Sequence, residues 1–298
     1  MARRPAQTAA LGQFFTPPSV VDFACQALMW LAGSAATTVI PRSEATRNLA
    51  VPPRVIDPAC GDGAFVLGAL RNELAEAAHI VGLDKDPALS EAWAKVGLAE
   101  PGAPQMLVTD SLLPSDESAQ IAPEGGFDFV IGNPPFHGHG VRHEAEETLL
   151  ALSRKYTIWR RDEASGNALD RLRLYPVELL FLERFLQLAR PGGLVAIILP
   201  EGVFANARQA SERRWLFARH TVHAIIGLPR ATFRPAGITA KTCLCLIAKA
   251  PPPDGHDVFL AEIADTDPPL EESLGAVWNL WQTRQVRAEP RPWLPVPE

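Results

Sequence analysis

Cysteine is scarce in this chain. Only Cys25, Cys60, Cys243 and Cys245 occur in 298 residues, and no two of them make a C-x-x-C pair. That excludes a disulfide framework and a cysteine-rich zinc site, and it suits a reducing cytoplasm. No apolar run approaches the roughly 20 residues needed to cross a bilayer. The N-terminus, "MARRPAQTAALGQFFTP", has two arginines but lacks the long apolar stretch of a signal peptide. Positive charge is short as well: 28 Lys and Arg against 34 Asp and Glu leave a net −6. Proteins that hold nucleic acid unaided displace counterions with Lys and Arg, so this balance counts against tight unaided binding. A basic cleft on an acidic body remains compatible with it. Two nucleotide fingerprints are missing. There is no G-x-x-x-x-G-K-[ST], and the dinucleotide pattern G-x-G-x-x-G fails at Val66, which disfavours a P-loop enzyme and a dehydrogenase. There is no internal repeat and no low-complexity tract.

Strand and helix signals alternate instead, in a chain that is 47% hydrophobic and 21% charged, as globular proteins are. "PPRVIDPACGDGAF" reads as a short strand entering a glycine-containing turn, with a helix from Ala64 to Ala78. "HIVGLDKDP" (79–87) is a second strand, "PALSEAWAKVGLA" is helical, and "QMLVTDSLLP" (105–114) is a third strand ending at Asp110. "FDFVIGNPP" is a fourth. "YPVELLFLERFLQLARPGG" is a helix stopped by Pro191-Gly192-Gly193. "LVAIILPEG" is a buried strand, followed by an Arg-rich helix (207–219), the strand "VHAIIGLP", and "KTCLCLIAKA" (241–250) as the last strand. The alternation predicts an α/β fold, a doubly wound, Rossmann-like parallel sheet with helices on both faces. Ligands of such sheets bind outside the carboxyl ends of the strands. Asp57–Gly63, Asp84, Asp110 and Asn133–Phe136 all sit at those ends.

In "DPACGDGAF", Gly61 and Gly63 let the backbone approach a ligand ahead of a helix N-terminus. Asp84 follows at the tip of the second strand, where a carboxylate accepts both hydroxyls of a ribose. Asp57, an acid opening the loop, suits a cationic group better than a pyrophosphate. S-adenosylmethionine joins adenosine to a sulfonium and an amino acid, and it satisfies this pattern. A glycine turn alone is as often structural as functional; Asp84 and Asp110 beside it give it weight.

In "FVIGNPPFHG" (129–138) an apolar strand stops at an amide, two residues with no backbone donor, and an aromatic ring. The bland account is a strand cap. The chemical account is a clamp for a planar amine. The lone pair of adenine N6 is delocalised into the ring. Two acceptors holding its N–H bonds, the Asn133 side chain and the Pro134 backbone carbonyl, would free that lone pair and aim it at a methyl group. Pro134 and Pro135 bias the residue before each toward extended geometry, so the acceptors are pre-organised. Phe136 offers a stacking face for an extruded base.

With these pieces in this order, the chain resembles the N6-adenine DNA methyltransferases. The likeness is to the gamma-type group, whose cofactor segment precedes the catalytic one, and to the catalytic core of type I modification subunits and single-chain adenine methylases. "LGQFFTPPSVVDFAC" (11–25) resembles that family's N-terminal cofactor segment, which would put Gln13, Phe15, Thr16 and Pro17 near the methionine moiety. "VIDPACGDGAF" resembles its glycine loop, with Asp57, Pro58, Ala59, Gly61, Gly63 and Phe65 against the cofactor. Asp84 matches the ribose acid and Asp110 the acid that binds the cofactor's adenine amine. Asn133, Pro134, Pro135 and Phe136 match the catalytic tetrapeptide, Asn133 also bordering the cofactor. "LPRATFRPAGITAKTCLCLIAK" (228–249) resembles the segment whose aromatic, here Phe233, holds the flipped base from its other side. The resemblance implies a class I AdoMet-dependent methyltransferase fold, S-adenosylmethionine as cofactor, DNA as substrate and no metal. Single-chain relatives carry a large target recognition domain after the core, and modification subunits carry an N-terminal helical domain; neither is apparent here. Residues 1–250 are then the catalytic domain, and 251–298 a Pro-rich linker with a short helical tail. Recognition would come from a separate specificity partner.

Other features divide between plain and functional accounts. His137, His139 and His143 follow the clamp, and a glycine loop closing over substrate explains them better than zinc, for which a fourth ligand is missing. Residues 154–173 hold six basic and three acidic side chains around Tyr156 and Trp159, either a DNA-contacting loop or a solvated face. Arg208, Arg213, Arg214 and Arg219 are ambiguous in the same way. Cys243 and Cys245 share a strand face as small core residues. In the tail, Leu270, Leu274, Val277, Trp278 and Trp281 form a helical stripe that either packs on the parent domain or docks a recognition subunit. Related amine chemistry leaves two substrate alternatives, a protein glutamine and an RNA adenine. A catalytically silent methyltransferase fold is the third.

Overall fold

The computed structural model describes residues 16–35, 52–113, 125–136, 141, 144–160, 168–236, 241–265 and 268–285. Its strands are β1 (Val55–Asp57), β2 (Ile80–Asp84), β3 (Gln105–Val108), β4 (Phe127–Gly132), β5 (Ala189–Pro200), β6 (Thr221–Leu228), β7 (Thr242–Ala248) and β8 (Phe259–Glu262). They make one sheet in the order β3-β2-β1-β4-β5-β7-β6-β8. β1 to β5 run parallel, as expected, but β7 lies antiparallel between β5 and β6. The sheet is therefore mixed. Only a 3₁₀ turn (Arg230–Ala236) separates β6 from β7 among the described residues. A parallel return needs a longer crossover, usually helical, so the chain doubles back instead.

The helices of six or more residues are α1 (Pro18–Ala35), α2 (Ala64–Arg71), α3 (Ser90–Lys95), α4 (Glu146–Lys155), α5 (Ala168–Arg173), α6 (Val177–Leu188), α7 (Ala210–Arg219) and α8 (Leu270–Gln285). α2 is about two turns shorter than expected from its apolar period, and Glu73 just beyond it takes a φ of 54°. α7 starts after a short turn that Asn206 caps, its side chain accepting from Arg208 N at 2.9 Å. Alternation along the strands sends side chains to two cores. On β5, Leu194, Ala196 and Ile198 join Val20, Leu28 and Phe65 from α1 and α2. Val195, Ile197 and Leu199 join Leu149, Leu179 and Leu216 from α4, α6 and α7. Asp22 ties α1 to the end of α2, accepting from Arg71 and from Asn72 Nδ2 at 2.6 Å.

The segment after residue 250 is part of this fold. β8 pairs parallel with β6. α8 buries Leu274, Val277 and Trp281, the last against Trp30 at 5.0 Å and stacked on Phe259 at 5.8 Å. Trp278 packs edge-on against Phe23 and Trp30. The apolar stripe is spent on the parent core. No described helix is long and apolar enough to cross a membrane.

Strand order reverses between β1 and β4. Their carboxyl ends, Asp57 and Gly132, open on the crevice where such sheets bind ligands.

Candidate active site

The turn after β1 is held by contacts from three other segments. Cys60 N donates to Leu83 O at 2.8 Å and Gly61 N to Asp84 Oδ2 at 3.0 Å, tying the turn to the end of β2. The other face of the Gly61 peptide is held too, with Trp93 Nε1 donating to Gly61 O at 2.8 Å. Ser111 Oγ donates to Pro58 O at 2.6 Å. Gly63 caps α2 with φ 91°, a left-handed conformation that favours glycine. Ala59 N donates back to Asp57 Oδ1 and Ala64 N to Asp62 Oδ1. Phe65 and Pro58 are buried.

Three carboxylates crowd this turn. Burial holds Asp57 well above the usual carboxylate range, and the charges of Asp84 and Asp62 add to that against the pull of the Ala59 N–H. Asp84 and Asp62 are also raised, first by burial. Asp84 spends one oxygen on Gly61 N and the other on Asp86 N at 3.0 Å. A cation brought to this turn would relieve the crowding, and the donor set suits a sulfonium or an ammonium. Asp110 begins the turn after β3 and accepts from Leu112 N at 3.0 Å, a local cap that leaves its carboxylate half-buried.

The tetrapeptide leaves β4 directly beside this turn. Gly132 carries no side chain where one would collide with the Asp57 carboxylate and crowd the Phe185 ring. Asn133 Nδ2 donates to Thr16 Oγ1 at 3.2 Å, joining segments far apart in sequence; Thr16 is itself buried. The other half of the amide is different. Asn133 Oδ1 is buried and has no donor among the described residues. A buried acceptor without a donor is costly, and this one can take an N–H brought to the crevice. Pro134 is buried and Pro135 half-buried.

Phe136 and Phe233 belong to one apolar cluster, at 0% and 1% exposure. The two rings expected to flank a base are thus both packed into the core. A purine reaches either face only after their present neighbours move aside. Thr16, Pro17, Asp57, Pro58, Ala59, Gly61, Gly63, Phe65, Asp84, Asp110 and the tetrapeptide cluster at the carboxyl edge. Gln13, Phe15, His137, His139 and His143 lie outside the described residues.

Tyr156 and Trp159 are core residues, and Trp159 Nε1 donates to Tyr156 O at 2.9 Å. Arg213 closes the turn before α7 by donating to Val203 O and Asn206 O, and Arg219 lies over Trp215 at 5.6 Å. Cys243 and Cys245 are free thiols on one face, 3.8 Å apart. Trp93, Ser111 and Asp62 escaped the sequence reading. Trp93 and Ser111 donate to main-chain carbonyls, which every residue has, so no local pattern announces them.

The sequence profile of one family, N-6 DNA Methylase, matches residues 2–269. The chain belongs to that family. A candidate type II restriction enzyme and methyltransferase of Methanocaldococcus jannaschii is 26% identical over 132 residues, which is 44% of this chain and 9% of that protein. Among solved structures, a candidate class I S-adenosylmethionine-dependent methyltransferase of Listeria monocytogenes superposes with a TM-score of 0.59 at 19% identity, covering 94% of this chain and 73% of that one. A type I restriction-modification methyltransferase subunit from Streptococcus thermophilus gives 0.62 at 16% identity, covering 91% and 53%. A modification subunit of a candidate type I restriction enzyme from Vibrio vulnificus gives 0.61 at 18%, covering 94% and 54%. The chain spans about half the length of these restriction-system subunits and a small part of the archaeal relative. Its α/β sheet is that of the class I S-adenosylmethionine-dependent methyltransferases, as the resemblance implied.

Proposed function

We propose that this N-6 DNA Methylase family member transfers a methyl group from S-adenosylmethionine to N6 of an adenine flipped out of DNA. The observation that carries the proposal is Asn133 Oδ1, a buried acceptor with no donor among the described residues, directly after Gly132, which borders Asp57 in a turn whose carboxylates are held above their usual range. Asp57–Gly63, Asp84 and Asp110 would hold S-adenosylmethionine, which would supply an electrophilic methyl group. Asn133 Oδ1 and the Pro134 carbonyl accept the two N6–H bonds, withdrawing the nitrogen from ring conjugation and pointing its lone pair across the crevice. Thr16 Oγ1 accepts from Nδ2, which leaves Oδ1 for the substrate. Transfer would form the N6–C bond and leave the electrons of the broken sulfur–methyl bond on sulfur, and the methylated nitrogen would turn acidic. Its proton then leaves to water, so the site needs no strong base. Positioning carries most of the rate. Phe136 and Phe233 hold the base once it has displaced their cover.

Sequence recognition comes from outside this core, through a specificity partner or another module. Docking on the C-terminal tail would use the outward side of α8, where Leu280 is 63% exposed, because the inward stripe is already buried.

The test is methyl transfer from isotope-labelled S-adenosylmethionine to mixed-sequence DNA, wild type beside Asn133→Ala, with product nucleosides identified by mass spectrometry. N6-methyladenine is expected from the wild type. The variant should lose about 100-fold or more in rate, the scale of one deleted transition-state contact, with cofactor affinity changed only a few-fold. Unchanged transfer by the variant would refute the clamp. Methyl groups found on a protein glutamine or on RNA would reassign the substrate.

A further inference from the structure

α4 ends against the turn after β3. At the end of that helix, the Lys155 ammonium reaches into the turn after β3. It donates to Leu112 O at 2.9 Å, Leu113 O at 3.1 Å and Ser111 O at 3.4 Å. Its neighbour, Tyr156, is fully buried and donates its hydroxyl to the same Leu112 carbonyl at 2.8 Å. The turn so gripped is a junction. It starts at Asp110, whose carboxylate is oriented by Leu112 N, and it includes Ser111, whose hydroxyl holds Pro58 in the glycine turn.

Nothing local explains why these three carbonyls point the same way. Leu113 N donates to Asp110 O at 3.2 Å and closes the turn from within, but this leaves the carbonyls of 111–113 facing α4. Buried carbonyls need donors, and one ammonium with three N–H bonds matches three of them. A cation there also offsets their converging dipoles.

We infer that Lys155 is a positioning residue for the cofactor, fixing the Asp110–Leu113 turn and, through Ser111, the glycine turn. This rests on the cofactor site proposed above. The ammonium carries this role only while protonated. Burial pushes its pKa down to about 7, with the Arg184 charge on α6 adding to that and Asp110 on the turn opposing it. Tyr156, the titratable neighbour on its own side, is pushed far up by burial and stays neutral. Neutral Lys155 has two N–H bonds for three carbonyls, so the grip loosens as pH rises through that range.

The experiment measures S-adenosylmethionine affinity by calorimetry from pH 6 to 9, and steady-state methyl transfer, for wild type, Lys155→Met, Lys155→Arg and Tyr156→Phe. Lys155→Met should raise both Kd and KM for the cofactor about tenfold at pH 6.5, with kcat at saturating cofactor within about threefold of wild type, the scale of lost charge-assisted bonds. Wild-type affinity should fall above pH 7, and Lys155→Arg, charged throughout, should abolish that fall while restoring affinity in part. If Lys155→Met does not fold, Tyr156→Phe carries the test, with an expected loss of about threefold. Wild type that binds the cofactor with no change in Lys155→Met, or a Lys155→Arg profile that still falls, overturns the inference alone. Wild type that binds no S-adenosylmethionine overturns the functional proposal and this inference with it.

Discussion

Replacing Asp84 by Asn keeps size and shape and changes only what the two terminal atoms do. In the native protein both are acceptors, one for Gly61 N and one for Asp86 N, each at 3.0 Å, in a side chain that is 8% exposed. An amide supplies one acceptor and sets an NH₂ against a backbone N–H. One bond is lost and two donors face each other, a cost of about 1–3 kcal/mol in a buried site. The damage falls on the Gly61 peptide, and so on the turn that would meet the cofactor. S-adenosylmethionine affinity should weaken roughly ten- to hundredfold, at 1.4 kcal/mol per decade. The proton balance gives a second readout. Asp84, Asp57 and Asp62 are raised in the folded chain, so the native state holds more protons than the unfolded one. Cofactor-free stability therefore falls as pH rises through these raised values. A cation at the turn favours the carboxylates, so binding should release protons and tighten as pH rises through the same range. Calorimetry in two buffers of different ionisation enthalpy counts the released protons, and Asp84→Asn should release fewer. An affinity within twofold of wild type, with the same proton count, would refute the role given to Asp84.

Two further substitutions probe the scaffold. Gly132→Ala places a methyl group on the Asp57 carboxylate, so β4 must shift; urea titration should show a loss of about 1–3 kcal/mol, as overpacking costs, and transfer should fall more than stability because Asn133 follows directly. A variant as stable and active as wild type would mean that the two segments do not meet. Trp281→Ala empties the contact between α8, Trp30 and Phe259 and should cost about 3–5 kcal/mol, the range for a buried aromatic; a loss under 1 kcal/mol would show that the tail does not pack on the core.

Local chemistry is what one sequence writes most clearly. Strand ends at Asp57, Asp84 and Asn133 were legible because an acid, a glycine or a proline interrupts an apolar run, and the order of those interruptions pointed to the family. The boundaries of α2 and the length of β3 were less so, since apolar period continues past the point where Glu73 turns the backbone. Three matters rested on contacts between distant segments. β7 runs antiparallel because the connection before it holds no crossover helix among its described residues, and an apolar strand reads the same in either direction. The tryptophan stripe of α8 faces inward because α1 and β8 supply rings to meet it, a choice that helical spacing leaves open. Trp93, Ser111 and Lys155 became parts of the site through main-chain carbonyls, which carry no residue identity to be read in advance. What the sequence by itself determined was which chemistry stands at each strand end. The tertiary structure alone decided which donors hold those ends in place, because hydrogen bonds to backbone depend on where a segment lies and not on what it spells.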